Sequence, residues 1–174
     1  MSFSESKVEK SKVMTYDKKK SSKKSVVTIV NDDNSCGYRA TTLGVKYHEL
    51  KVKGNSRMAD WRRLREHSGC LFSAVIELLE RYEIDDEILD HPLDDERLKL
   101  LDEKLSDYQI IVIDRESGDQ LFVGTDRPKV IYLESVEDHY NLITSMSGYR
   151  ARDLYCKYCS KGYQRKDGHI CKNR

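Results

Sequence analysis

The spacing of apolar positions changes several times along the chain, and each change marks an element. Val26-Val27-Thr28-Ile29-Val30 is a continuous β-branched run and predicts a buried strand. Asn31 to Asn34 predict a turn, and Asn34 or Ser35 is placed to cap a helix opening at Cys36. That helix is weakly written. Gly37 and Gly44 each weaken it by about 1 kcal/mol, and Thr41 and Thr42 are poor formers. Helical spacing returns at Met58–Leu64, with Trp61 and Leu64 at i, i+3 as core positions. Leu71, Phe72, Val75, Ile76, Leu78 and Leu79 give a helix with a wide apolar face, and Cys70 before them reads as buried and inert. His48, His67 and His91 read as surface or capping residues.

Leu93 to Leu98 opens a further helix with acids in its first turn, as the helix dipole favours. Its apolar positions are Leu98, Leu100, Leu101 and Leu105. Tyr108 to Ile113 is apolar without alternation and predicts a central strand. Arg115–Asp119 predicts a turn and Leu121-Phe122-Val123 the next strand. Lys129–Leu133 and Asp138–Ile143 predict a final pair of strands. A strand, then helices, then several strands defines an α/β (α+β) domain over residues 26–150.

Composition adds the two ends. Residues 1–25 hold eight Lys against Glu5, Glu9 and Asp17, with few apolar positions, and predict a disordered basic tail. Residues 151–174 form a small separate segment carrying three of the five cysteines. A net charge of +1 makes no global case for nucleic acid, so any such contact is local. Local candidates are the tail and a basic segment with Lys46, Lys51, Lys53, Arg57, Arg62, Arg63 and Arg65 around Trp61. No apolar run approaches the length of a membrane span and none at the N-terminus reads as a secretion signal. A reducing compartment, nucleus or cytoplasm, is the expectation, with cysteines used for catalysis or metal rather than disulfides.

Two constellations carry chemistry. Cys36 sits at a helix N-terminus, where backbone N–H groups and the dipole favour a thiolate and an oxyanion. His139 and Asn141 are two apart on a strand and share a face. An amide oxygen there can accept the imidazole Nδ1–H and aim Nε2 at a thiol. The second constellation is Cys156-x-x-Cys159 followed by His169-x-Cys171, a ligand set suited to tetrahedral Zn2+. Lys157, Lys161, Arg165, Lys166, Lys172 and Arg174 surround it with charge that would suit a phosphate backbone.

Asp33-x-x-Cys36, Arg39-Ala40 and His139-Tyr140-Asn141 together resemble an ovarian-tumour-type (OTU) cysteine protease, a family made up mostly of deubiquitinases. The resemblance implies Cys36 as nucleophile, His139 as general base, Asn141 as its orienter and the Asp33 loop as part of the oxyanion hole. It further implies a ubiquitin-like protein as substrate. Gly37 departs from the family pattern, which has a bulky apolar residue after the nucleophile. A wider resemblance covers roughly residues 26–171. Asn31 to Ala40, Ser106 to Ile113, His139 to Thr144 and Tyr155-Cys156 to Cys171 look like the N-terminal region of protein-primed family B DNA polymerases of Polinton (Maverick) transposons. That region implies an OTU-like part followed by a zinc knuckle, with a polyprotein or terminal protein as substrate. The spaced carboxylates of two-metal phosphoryl transfer are not evident, so the chain reads as a truncated or degenerate copy without polymerase activity. The competing reading is a non-catalytic module that binds DNA, through tail and knuckle, or a protein partner of such a polymerase.

Overall fold

The computed structural model describes residues 24–31, 33–53 and 58–173. The predicted tail up to Lys23, together with Asp32, Arg57 and Arg174, lies outside the described residues. Five strands form one sheet: β1 (Val26–Val27), β2 (Tyr108–Asp114), β3 (Gln120–Val123), β4 (Lys129–Val136) and β5 (His139–Ile143). Their spatial order is β1-β5-β4-β2-β3. β2 and β4 run parallel, with Tyr108 opposite Lys129 and Asp114 opposite Ser135; the other pairings are antiparallel. The helices are α1 (Cys36–Lys53), α2 (Met58–Glu66), α3 (Ser68–Arg81), α4 (Asp95–Lys104) and the single turn α5 (Met146–Tyr149). The architecture is mixed α/β, as the order of elements predicts.

Each face of the sheet buries a different set of side chains. Ile110, Val112, Ile131, Leu133 and Leu142 pack under the helices with Leu43, Val75, Leu78 and Leu101. Ile111, Ile113 and Ile143 point the other way and are covered by Val26, Met146 and Tyr149. β2 is therefore apolar at successive positions because both of its faces are covered. α3 buries Leu71, Ala74, Val75, Leu78 and Leu79, one face at helical period. α4 begins where Asp94 Oδ1 accepts from the Arg97 N–H at 2.9 Å.

Several elements depart from the sequence expectations. The first strand is shorter than its apolar run. Only Val26 and Val27 pair with β5, Val30 is exposed, and the Ile29 N–H turns to a side chain instead. α1 is a full 18-residue helix despite its glycines. A Cβ at Gly44 would lie 2.6 Å from Ile131 Cγ2, and one at Gly37 would lie 2.6 Å from the Leu93 side chain. Both glycines are places where the helix meets its neighbours at close range, so tertiary packing overrides their low propensity. Leu93 thus precedes α4 and packs against α1, while Leu100 is partly exposed. Trp61 and Leu64 are only half-buried against the core, and α2 has no fully buried residue. His48 is half-buried, and its Nε2 lies 2.8 Å from the Val130 carbonyl. Cys70 is not buried; it lines a surface groove with Glu49, Asp60 and Arg63.

A second, two-stranded sheet follows: β6 (Leu154–Cys156) and β7 (Lys161–Tyr163), with Tyr155 opposite Gly162. It contacts the large sheet. The Tyr155 ring meets Tyr132 edge-on at 5.8 Å between centroids, and Lys157 Nζ donates to Asp126 Oδ1 (2.6 Å), Gln109 Oε1 (3.1 Å) and the Arg127 carbonyl (3.0 Å).

Candidate functional site

The β4–β5 hairpin places the polar residues of the first site. Its turn is Glu137-Asp138, with Glu137 at φ 48°, so Val136 faces His139 and Glu134 faces Asn141. His139 and Asn141 share one side of β5, while Tyr140 and Leu142 take the other and join the helical core. Asn141 is fully buried and His139 and Glu134 nearly so. Burial of this much polarity requires partners, and the side chains supply them. His139 Nε2 lies 3.1 Å from Asn141 Oδ1. The same Oδ1 accepts from the Ile29 N–H at 3.0 Å. Asn141 Nδ2 donates to Glu134 Oε1 at 3.2 Å, and Arg115 donates to that oxygen from Nε (2.9 Å) and from its terminal nitrogen (2.6 Å).

The histidine–asparagine pair predicted from the strand is therefore present, with the ring reversed. Nε2, not Nδ1, faces the amide oxygen. An amide oxygen only accepts, so the proton sits on Nε2 and the neutral ring carries its lone pair on Nδ1.

Cys36 opens α1 and is 8% exposed. Its Sγ lies 4.0 Å from the carbonyl oxygen of Asp138, the residue immediately before His139. The fold thus brings the thiol from one end of the domain to the turn that starts β5. Ser35 holds the N-cap position, since its carbonyl accepts from Arg39 N at 2.8 Å. The Ser35 hydroxyl bonds Asp33 Oδ1 and accepts from Arg39 Nε at 2.7 Å, while Asn34 Nδ2 reaches the Asp90 carbonyl at 3.4 Å.

Asp33 organises the loop before the helix. Its Oδ1 also accepts from the Ser35 N–H (2.8 Å) and Asn31 Nδ2 (2.9 Å), and Arg39 lies 3.9 Å from Oδ2. Burial raises the carboxyl pKa, but the Ser35 and Asn31 hydrogen bonds and the Arg39 charge outweigh it and hold the pKa below its ordinary value. Arg39 is itself buried and donates to the Ser68 carbonyl (2.9 Å), tying the loop to α3.

A strap crosses the start of α1. Tyr38 Oη donates to the His91 carbonyl (3.1 Å), Tyr140 Oη donates to the Leu93 carbonyl (2.9 Å), and the Leu93 side chain fills the space beside Gly37. Burial, with Cys36 as the next cause, pushes the Tyr140 phenol up to about 12.

The second site lies beyond β5. The ligand atoms of Cys156, Cys159, His169 and Cys171 all lie within 4.8 Å of one another, and Cys159 Sγ is 3.5 Å from His169 Nε2. Ligands about 2.0–2.3 Å from one tetrahedral metal stand roughly 3.5–3.8 Å apart, so a small contraction of this donor set could hold a single ion. The hairpin supplies the first pair and a loop through Gly168 (φ 62°) returns the second. Tyr163 stacks on the His169 ring at 4.5 Å, and Tyr155 Oη lies 3.0 Å from Ser160 Oγ. The thiols influence one another. Burial opposes ionisation of Cys156, but the Cys159 and Tyr158 N–H groups, His169 and Cys171 direct hydrogen bonds at it and lower its pKa to about 6. Cys159 moves the other way, through burial and the neighbouring Cys156 and Cys171 sulfurs. One thiolate forms and opposes the next, a cluster that a cation would complete. The four predicted ligands thus converge and fit one metal ion. Of the cations expected around this site, Lys157 is committed to Asp126, whereas Lys161, Arg165, Lys166 and Lys172 are exposed.

Glu134 and Arg115 are the functional candidates that the sequence reading missed. A signal was present: a hairpin turning at Glu137-Asp138 sets Glu134, the one acid of β4, opposite Asn141. Comparison with protein-family models, with curated proteins and with solved structures finds no match to this chain. Among the described residues, no helix is long and apolar enough to cross a membrane.

Proposed function

We propose that the chain is a thiol-dependent peptidase of OTU type joined to a structural zinc knuckle, the protease-like module of a mobile-element or virus-like polymerase. The observation that carries this reading is the buried His139–Asn141 pair next to the turn that receives the Cys36 sulfur. In this scheme His139 Nδ1 takes the Cys36 proton, and the thiolate attacks the carbonyl carbon of a peptide or isopeptide bond following a small residue such as glycine. Backbone N–H groups of the Asp33–Cys36 loop stabilise the tetrahedral oxyanion. The imidazolium then protonates the leaving amine as its C–N bond breaks, and water hydrolyses the thioester, regenerating the thiol. Asn141 keeps the ring in the tautomer the reaction needs. Substrates of the fitting class are a ubiquitin-like protein or a polyprotein or terminal-protein junction. In the knuckle, three thiolates and one imidazole favour Zn2+, whose role there is to hold the fold.

The test is a ubiquitin probe ending in a thiol-reactive electrophile. Labelling at Cys36, lost in His139→Ala, supports the peptidase. Equal iodoacetamide reactivity of Cys36 and Cys70, unaffected by His139→Ala, refutes it. Exposure alone favours Cys70, so faster reaction at the buried Cys36 requires activation.

A non-catalytic reading is favoured by one feature, the enclosure of Cys36 beneath the strap at Gly37. On that reading the chain binds DNA or a protein partner through the knuckle and the basic tail. DNA affinity falling steeply with added salt, without probe labelling, would support it.

A further inference from the structure

The peptidase scheme gives His139 and Asn141 their roles, but not the groups behind them. Asn141 is a buried amide with two ends to satisfy. Its oxygen is shared between the Ile29 N–H and His139 Nε2, and its NH2 end, buried with it, requires an acceptor. The second anchor is Glu134 Oε1, which accepts from Asn141 Nδ2. Glu134 is 1% exposed, and a carboxylate so placed requires compensation. Arg115 provides it through two N–H groups to the same oxygen, and Tyr149 bonds the same carboxyl. Arg115 is itself tied to β4, its N–H donating to the Ser135 carbonyl at 2.9 Å.

We propose that Glu134, held by Arg115, is the positioning residue of the site: it fixes the Asn141 amide so that Oδ1 faces His139 and holds the imidazole in its Nε2–H form. A carboxylate can only accept, so it selects the NH2 end of the amide and excludes the flipped orientation. A leucine of similar size at this position would pack but would leave the NH2 end without this acceptor, so the orientation would rest on the Ile29 N–H alone of these two anchors. The functional meaning of this inference rests on the peptidase reading, whereas its geometry does not involve the thiol.

The experiment uses the full chain with isotope-labelled histidine and reads the His139 tautomer by long-range proton–nitrogen correlation above the pH at which the ring becomes neutral. The wild type should show a single Nε2–H tautomer. Glu134→Leu should give a mixture, and so should Glu134→Leu combined with Arg115→Leu, which avoids leaving a guanidinium without its carboxylate. Glu134→Gln retains an acceptor oxygen and should restore the single tautomer. Iodoacetamide alkylation of Cys36 should fall about tenfold in the leucine variants and recover in Glu134→Gln, the scale of effect seen when a supporting partner is removed. A single unchanged tautomer in both leucine variants, with sheet amides intact, overturns the proposal. A wild-type Cys36 no more reactive than Cys70 refutes the peptidase reading, and the tautomer result still decides the role of Glu134.

Discussion

The two cysteine sites of this chain are held in opposite ways. Cys36, His139 and Asn141 are 8%, 6% and 0% exposed, and the sheet and helices around them supply every constraint. From Leu154 to Cys171 no residue is fully buried, although four ligand atoms lie within 4.8 Å of one another. The first site is rigid because a core surrounds it. The second has no core of its own, so a bound metal ion would be the main source of the energy that keeps its ligands together. The same side-chain type stands in both settings, enclosed by packing at Cys36 and clustered with little packing at the C-terminal set.

Metal removal breaks this comparison most sharply. Structural zinc contributes on the order of 10–16 kcal/mol to small knuckles. The purified chain should carry one zinc, and chelation or Cys159→Ser should collapse the amide dispersion of residues 154–171. The large sheet should remain folded, with a modest loss from contacts such as Tyr155–Tyr132 and Lys157–Asp126 that join the two. A knuckle whose spectrum is unchanged after complete metal removal would show that it is held by packing after all.

Asn141→Ala tests the other side. It removes the acceptor for the Ile29 N–H and for His139 in a dry environment, and should cost about 2–4 kcal/mol in urea unfolding. Asn34→Ala, which removes only an exposed hydrogen bond, should cost less than about 0.5 kcal/mol. Comparable costs would mean that water reaches Asn141.

Gly44→Ala sharpens the contrast between propensity and packing. Alanine gains about 1 kcal/mol in an exposed helix, yet here its methyl group meets Ile131. Overpacking typically costs about 1–3 kcal/mol, so a net loss of about 1 kcal/mol is expected by thermal or urea unfolding.

The smallest effect is on pH dependence. The folded Asp33 carboxyl lies below its ordinary value of 3.8, since its hydrogen bonds and Arg39 outweigh burial. Its stabilisation is therefore fully present above that value and is lost as pH falls through the lower, folded pKa. The side chain is half exposed, so the contribution is below about 1 kcal/mol. Asp33→Asn should destabilise the protein at pH 7, and the deficit should shrink as the pH falls below 3.8, read from urea midpoints. A deficit that does not change as the pH falls would assign the effect to loop shape rather than charge.

What the sequence by itself determined is what depends on local pattern. The apolar run Ile110–Ile113 predicts a strand covered on both faces, and it is one. The acids at the start of α4, the two-residue spacing of His139 and Asn141, and the Cys-x-x-Cys with His-x-Cys all act within a few residues, and the structure contains each of them. What the tertiary structure alone decided depends on groups far apart in the chain. Gly37 and Gly44 weaken a helix in isolation and fit one that Leu93 and Ile131 approach closely. Ile29 leaves the strand ladder because an amide oxygen 112 residues away accepts its N–H. The His139 ring orientation and the selection of Glu134 and Arg115 as its support follow from hairpin register and burial together. Hydrophobic period specifies which face is buried, but the partners of a buried polar group are set only when the distant strands close around it.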